Sequence, residues 1–166
     1  IATDGGGINI LDFQTMKFSH LKHISDDEQS LPNNSIYRLY KDQMDNIWIG
    51  SIHGGLFAIK KVFIKTYKDV PLNNPNGVSE RTVVSIFEDK DTLLWIGTDG
   101  GGINSFDQKT NTFHHYPTTY GEKVTSITNF SENELLLSCF NKGVFTFNKR
   151  TAQMQPFPII NDSISK

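Results

Sequence analysis

The sequence of 166 residues is long enough for one ordinary domain, and its hydrophobic fraction of 37% is typical of a folded soluble chain rather than a disordered one. Its 16 basic and 18 acidic side chains give a net charge of −2, which argues against a general nucleic-acid binder. No apolar run reaches the roughly 20 residues of a membrane-spanning helix, and the single Cys139 excludes an internal disulfide and a multi-cysteine zinc site.

One short segment recurs along the chain. Residues 3–9, Thr-Asp-Gly-Gly-Gly-Ile-Asn, are repeated identically at residues 98–104, and looser copies stand at residues 51–57 and 141–145. The last glycines of the four copies lie 48, 47 and 41 residues apart; they are Gly7, Gly55, Gly102 and Gly143. A period of this length indicates a repeat architecture in which each copy is one supersecondary unit.

Each unit predicts four short strands, which we name a, b, c and d in chain order. In the second unit they are predicted over residues 36–41, 47–51, 55–60 and 62–67, which are rich in β-branched and aromatic residues and separated by Asp, Asn and Gly. Residues 56–59 are apolar on both strand faces, so we expect the unit to be packed between copies of itself. Four-stranded units of about this length are the blades of β-propellers.

The predicted fold is therefore all-β, a portion of a β-propeller with four-stranded antiparallel blades of about 40–48 residues. In chain order we expect the end of a blade, beginning within strand b, at residues 1–31 and whole blades at residues 32–80, 81–122 and 123–160, with residues 161–166 starting another. Closed propellers usually have about 4–8 blades. We accordingly expect an incomplete ring that belongs to a larger propeller.

The repeats also resemble a known family. Residues 31–36, Leu-Pro-Asn-Asn-Ser-Ile, are followed by Tyr-Lys-Asp at residues 40–42 and Asn-Ile-Trp-Ile-Gly at residues 46–50, and residues 94–103 run Leu-Trp-Ile-Gly-Thr-Asp-Gly-Gly-Gly-Ile. This tandem pattern is similar to the two-component regulator propeller repeat. The fourth unit departs most from it, because Leu135-Leu136-Leu137-Ser138 lacks the tryptophan.

The resemblance implies a role as well as a fold. Such repeats form the extracytoplasmic sensor region of membrane-anchored regulators, typically hybrid histidine kinases of gut Bacteroidetes that sense glycan fragments and switch on polysaccharide-utilisation genes. It therefore implies a periplasmic segment of an inner-membrane protein, with a second propeller in the same parent chain and a dimeric parent. From the charge and the residue spacing we expect no cofactor and no metal, and no nucleic acid bound by this segment.

The repeated residues themselves favour structural roles. The glycine run ending at Gly102 could cradle phosphate only if a helix followed it, and a strand is predicted instead, so we interpret the run as a tight b–c turn. Trp48 and Trp95 could stack on a sugar, but their fixed position in the repeat favours packing between blades.

The acidic and histidine residues carry no recognisable catalytic or metal pattern. The aspartates around Asp42 and Asp89 lack the spacing of a calcium loop and are more typical of an a–b hairpin turn. His114 and His115 are adjacent on a predicted strand and so face opposite sides. Because nothing resembles a nucleophile with its base, we interpret the segment as non-catalytic.

The most variable segments point to a candidate binding site. In a blade that runs up and down, the d–a connections and the b–c turns lie on one face, and ligands usually bind where variable loops sit on a rigid scaffold. The candidate ligand-binding residues on that face are His53, Asn76, Arg81, Asp99 and Tyr120. Polar groups beside an aromatic ring suit an oligosaccharide, although the loop pattern alone is more typical of solvated loops or of contact with a second propeller.

The sequence thus predicts a non-catalytic sensing segment, and two other classes stay open. One is a propeller enzyme that acts on polysaccharide, a lyase or a hydrolase, whose catalytic groups other blades would supply. The other is a protein-interaction scaffold of the WD-repeat kind, although the Trp-Asp ending of that repeat is not seen.

Overall fold

The computed structural model describes residues 1–27, 29–60 and 63–158, with Lys60 and Phe63 described by their backbone alone. These residues form four antiparallel sheets that follow one another along the chain, the first with three strands and the others with four. The expected all-β, incomplete propeller is confirmed. The expected blade start at residues 161–166 lies outside the described residues.

Each sheet is an up-and-down meander in which consecutive strands pair. The first sheet contains β1 (Ala2–Thr3), β2 (Gly7–Asp12) and β3 (Lys17–Leu21), and the second contains β4 (Ile36–Lys41), β5 (Ile47–Ser51), β6 (Gly55–Lys60) and β7 (Phe63–Tyr67). The third contains β8 (Val83–Glu88), β9 (Leu93–Thr98), β10 (Ile103–Asp107) and β11 (Thr112–His115). The fourth contains β12 (Val124–Asn129), β13 (Glu134–Cys139), β14 (Gly143–Asn148) and β15 (Met154–Pro156).

The sheets pack face to face, and the hydrophobic core lies between them. Between the second and third sheets, Trp48 and Tyr67 pack against Phe106, with ring centroids 5.4 and 5.0 Å from it. Between the third and fourth sheets, Trp95 packs against Phe147 at 5.9 Å. Both tryptophans are almost fully buried, which confirms the packing role expected from their position in the repeat.

Each tryptophan is fixed by an aspartate at the end of the preceding strand. Trp48 Nε1 donates to Asp42 Oδ2 at 2.7 Å, and Trp95 Nε1 donates to Asp89 Oδ2 at 2.9 Å. The other oxygen of Asp42 accepts the backbone N–H groups of Met44 and Asn46, which closes the a–b turn. These aspartates therefore join a hairpin turn to an interface between sheets, in agreement with the turn interpretation.

The first strand of each four-stranded sheet carries a bulge at the same position. The register shifts between Ile36 and Arg38 in β4, and the corresponding shifts occur in β8 and β12. After the shift, Arg38 pairs with Gly50 and Ser85 pairs with Gly97. The bulge bends the strand next to the glycine of the Trp-Ile-Gly motif.

Candidate ligand-binding site

The b–c turns and the connections between sheets meet on one side of the molecule, which we call the loop face. The last glycine of three repeats donates its backbone N–H to the connection that leads into the next sheet: Gly7 to Asn34 O at 2.8 Å, Gly55 to Arg81 O at 2.6 Å and Gly102 to Glu122 O at 3.2 Å. Because this bond recurs, the loop face is held by the scaffold at each interface and can present side chains in fixed positions.

Two of the candidate residues lie on either side of Thr82. The backbone N–H of His53 donates to Thr82 Oγ1 at 3.4 Å, and that of Asp99 donates to Thr82 O at 3.0 Å. Asp99 also pairs with Lys123, whose Nζ is 2.7 Å from Asp99 Oδ2 and 5.5 Å from the centroid of the Phe140 ring. The hydrogen bond to Asp99 raises the pKa of Lys123, so the ammonium group stays charged at neutral pH. The structure thus brings His53 and Asp99 into one row across three sheets.

Arg81 and Tyr120 also lie on the loop face, whereas Asn76 does not join them. Arg81 is adjacent to Thr82, and its side chain is exposed. Tyr120 is 56% exposed and precedes Gly121, whose N–H donates to Gly100 O at 2.7 Å. Asn76 stands instead beside the outer strand β11, because its neighbour Pro75 accepts the backbone N–H of Phe113 at 2.8 Å.

An open cleft lies next to His53, between the second sheet and the connection that leads into it from the first sheet. A cavity of about 540 Å³ is lined by Asn33, His53, Thr66, Lys68 and Asp69, among others. It adjoins a second cavity of about 680 Å³, which shares Thr66 and Lys68 with the first. Together they form a groove, open to solvent and large enough for a small oligosaccharide. Sequence reasoning pointed to the d–a connections on this face and to His53, but not to Lys68.

The corresponding place at the next interface is closed. Thr66 pairs with Phe57 across the second sheet, and His115 pairs with Asn104 in the same position of the third sheet. His115 is buried and its Nε2 contacts Gly77 O at 2.9 Å, so the connection between the second and third sheets fills the space there. The groove therefore arises from a departure from the repeat.

His53 itself adopts a backbone conformation that favours glycine. Its φ is 58°, and the same position holds Gly5, Gly100 and Asn141 in the other repeats, all with positive φ. The left-handed region is unfavourable for any residue that carries a side chain, whereas glycine adopts it freely. Asparagine tolerates it better than most other residues. The histidine in this conformation is exposed and lines the cavity, which makes its side chain a candidate for a binding role.

Replacement of His53 by glycine is therefore expected to stabilise the protein by about 0.5–1 kcal/mol. Urea unfolding of the two proteins measures this difference. Asn141→Gly is the matched control, because it makes the same exchange in the fourth sheet from a residue that tolerates the conformation, and its gain should be smaller. A loss of stability in His53→Gly would contradict strain at this position.

The described residues contain no group of three His, Cys, Asp or Glu side chains that could hold a metal ion. In the same part of the chain, no helix is long and apolar enough to cross a membrane.

Two segments of the chain match a known repeat. The sequence model of the two-component regulator propeller matches residues 30–53 and 77–100. Both matches run from the connection before a sheet through strands a and b to the b–c turn. They thus contain both Asp–Trp pairs. No curated protein matches the chain in sequence.

Solved structures share the fold at low sequence identity. The extracellular domain of the hybrid two-component system BT3049 from B. thetaiotaomicron superposes with a TM-score of 0.79 at 21% identity, over 94% of this chain and 22% of that one. PorZ, a surface component of the type-IX secretion system of Porphyromonas gingivalis, has a TM-score of 0.69 at 11% identity, over 98% and 25%. Virginiamycin B lyase from Staphylococcus aureus has a TM-score of 0.67 at 17% identity, over 95% and 50%. The chain thus spans from about a fifth to a half of the length of these proteins.

Proposed function

Because the chain carries repeats of the two-component regulator propeller family, we propose that it is part of the extracytoplasmic, ligand-sensing propeller of a two-component regulator. The segment itself is non-catalytic, and its ligand is a glycan fragment. The parent protein is a hybrid histidine kinase in the inner membrane that faces the periplasm with this region and controls transcription.

The open groove beside His53 is the single observation that carries the ligand-binding part of this proposal. An oligosaccharide presents many hydroxyl groups and needs several donors and acceptors on a preformed surface. His53, Lys68 and Asp69 supply an imidazole, an ammonium and a carboxylate around the groove. Asp99, Arg81 and Tyr120 extend the same face beyond it and are the places where a longer glycan would continue.

The signal would be transmitted as a change in the relative placement of whole domains. The parent protein contributes further blades, a second propeller and a second copy of itself as partners of this segment. A ligand that binds one arrangement of these domains more tightly than another shifts the population toward it, and the kinase dimer reads that shift. No group transfer within this segment is required.

The proposal is tested on the intact extracytoplasmic region with a panel of neutral and acidic oligosaccharides. A ligand that binds the folded state raises the thermal midpoint, by an amount equivalent to about 2.7 kcal/mol at a concentration of 100 times the Kd. We expect one glycan class to produce such a shift and His53→Gly and Lys68→Ala to reduce it. Asn76→Ala, at the outer edge, is the matched control and should leave it unchanged.

Two results would contradict this function. An absence of any shift across the panel would argue against a glycan ligand. Turnover of a glycan by the intact protein would instead favour the lyase or hydrolase alternative, in which other blades supply the catalytic groups.

A further inference from the structure

A buried glutamate at the interface between the second and third sheets lacks a partner for one of its oxygens. Glu88, the last residue of β8, is 6% exposed, and its Oε2 accepts the backbone N–H of Gln43 from the opposite sheet at 2.9 Å. Its Oε1 is buried and has no hydrogen-bond partner within the described residues. A buried carboxylate oxygen without a donor is costly when it is charged, so this group calls for an explanation.

The charges around Glu88 make its ionised form less favourable still. From the second sheet, Asp42 is 4% exposed and Tyr40 is half-buried, and both lie close enough to Glu88 to interact with it electrostatically. Asp89 follows Glu88 on its own strand. None of the ion pairs formed by the described residues includes Glu88 or Asp42. The neighbouring Lys41 pairs instead with Asp45 on the exposed turn.

The next interface provides an internal comparison in which the charge is balanced. Asp89 occupies there the position that Asp42 has in the second sheet, and Lys149 of the fourth sheet reaches it with Nζ 3.2 Å from Oδ2. The position of Glu88 is taken by the neutral Asn129, since Glu88 pairs with Leu94 and Asn129 with Leu135 in corresponding strands.

At the interface between the second and third sheets, the position of Lys149 is taken by a glutamine. Gln108 follows the last residue of β10 as Lys149 follows the last residue of β14. Both polar atoms of the Gln108 side chain are buried and have no partner among the described residues. Among the described residues, one interface thus holds a carboxylate with its lysine, and the other holds two carboxylates that pair with no cation.

We propose that Glu88 is a proton-sensitive contact, so that the second and third sheets pack more tightly when the solution becomes acidic. When Glu88 is ionised, its unpartnered oxygen and the carboxylate of Asp42 repel each other across the interface. A proton taken up by Glu88 removes this repulsion while Oε2 keeps its bond from Gln43. The proposal concerns a different face of the molecule from the glycan groove and does not depend on it.

The direction of the pKa shift agrees with this geometry. Burial is the main cause that raises the pKa of Glu88 above its usual 4.5, the bond from Gln43 opposes it, and the charges of Asp42 and Asp89 add to it. Burial also raises the pKa of Asp42, but the hydrogen bonds from Asn46, Trp48 and Met44 outweigh that effect and hold it below its usual value. Asp42 thus stays charged while Glu88 titrates. Because the pKa of Glu88 is raised in the folded protein, its protonation contributes stability that is fully present below pH 4.5. This contribution is lost as the pH rises through the raised pKa.

The test compares the wild-type chain with Glu88→Gln between pH 4 and pH 8. Glutamine keeps an acceptor for Gln43 and has no charge, so we expect its thermal midpoint to exceed that of the wild type by a few degrees at pH 7. The difference should vanish at pH 4. Glu134→Gln, a half-buried glutamate in the fourth sheet that accepts a bond from Ser131, is the control and should not show this pH dependence.

Hydrogen exchange at the Gln43 amide reports on the interface itself. After correction for the intrinsic effect of pH, exchange in the wild type should be slower by severalfold at pH 5 than at pH 7, and in Glu88→Gln it should not depend on pH. If the thermal midpoints of the wild type and Glu88→Gln changed with pH in parallel, the proposal would be overturned. A second contradicting result would be that calcium added at pH 7 raises the thermal midpoint of the wild type but not that of Glu88→Gln. A bound cation, rather than a proton, would then balance the charge of Glu88.

Discussion

Replacement of Trp95 by alanine is expected to lower the free energy of unfolding by about 3–5 kcal/mol. The side chain is 1% exposed and stands between the third and fourth sheets, with ring centroids 5.4 Å from Tyr116 and 5.9 Å from Phe147. Alanine leaves a cavity among these rings. It also removes the indole donor to Asp89, although Lys149 stays in contact with that carboxylate.

The matched control is the same truncation in the fourth sheet. Leu136 stands at the position of Trp95, but it is only half-buried and has no aspartate partner, because Phe130 takes the place of Asp89. Leu136→Ala should therefore cost about 1 kcal/mol. Urea unfolding of both variants measures the difference. Equal losses would show that the tryptophan is not a principal support of the interface.

The sequence was sufficient for the fold because every unit repeats one pattern. Glycines at regular intervals, and the tryptophan in a fixed place before them, together indicated strands, their order and the burial of Trp48 and Trp95. Repetition compensates for the weakness of any single strand prediction, since an error in one copy is corrected by the others. The sequence also shows where two copies differ from the repeat, at Ser138 in place of Gly97 and at His53 in place of Gly100.

The candidate site was less predictable because it depends on the path of irregular connections. Asn76 and Arg81 belong to one connection, yet Arg81 is held on the loop face by Gly55 while Asn76 runs beside β11. The groove at Lys68 exists because the connection before the second sheet leaves a space, whereas the connection before the third sheet closes it by placing Gly77 against His115. Such spaces follow from the placement of sheets in three dimensions, which spacing along the chain does not encode.

The bond between Asp42 and Trp48 was missed for a related reason. Each residue had a sufficient explanation of its own, the aspartate in a turn and the tryptophan in the core. Six positions apart on a hairpin, they meet because the turn folds strand b back on strand a. The signal was available, since the same spacing recurs between Asp89 and Trp95.

The glycine of the Trp-Ile-Gly motif is expected to tolerate no larger residue, and Gly97→Ala should cost about 1–3 kcal/mol. A Cβ at this position would lie 2.5 Å from the backbone oxygen of Val124 and 3.1 Å from its Cβ. Val124 begins β12, the bulged first strand of the fourth sheet, and its oxygen already accepts the hydroxyl of Ser85 at 2.8 Å. The added methyl group therefore has to displace the Ser85 hydroxyl and also push two sheets apart, because the Val124 oxygen belongs to the backbone.

Ser138→Ala provides the comparison, because Ser138 takes the position of Gly97 in the fourth sheet and already carries a Cβ. Its replacement should change the free energy of unfolding by no more than about 0.5 kcal/mol. Gly50→Ala should fall between the two, since the backbone oxygen that its Cβ would meet, Val83 O, is 2.9 Å away rather than 2.5 Å. If urea unfolding gave Gly97→Ala the stability of the wild type, close approach of strand a to the preceding sheet would not be the reason for the glycine.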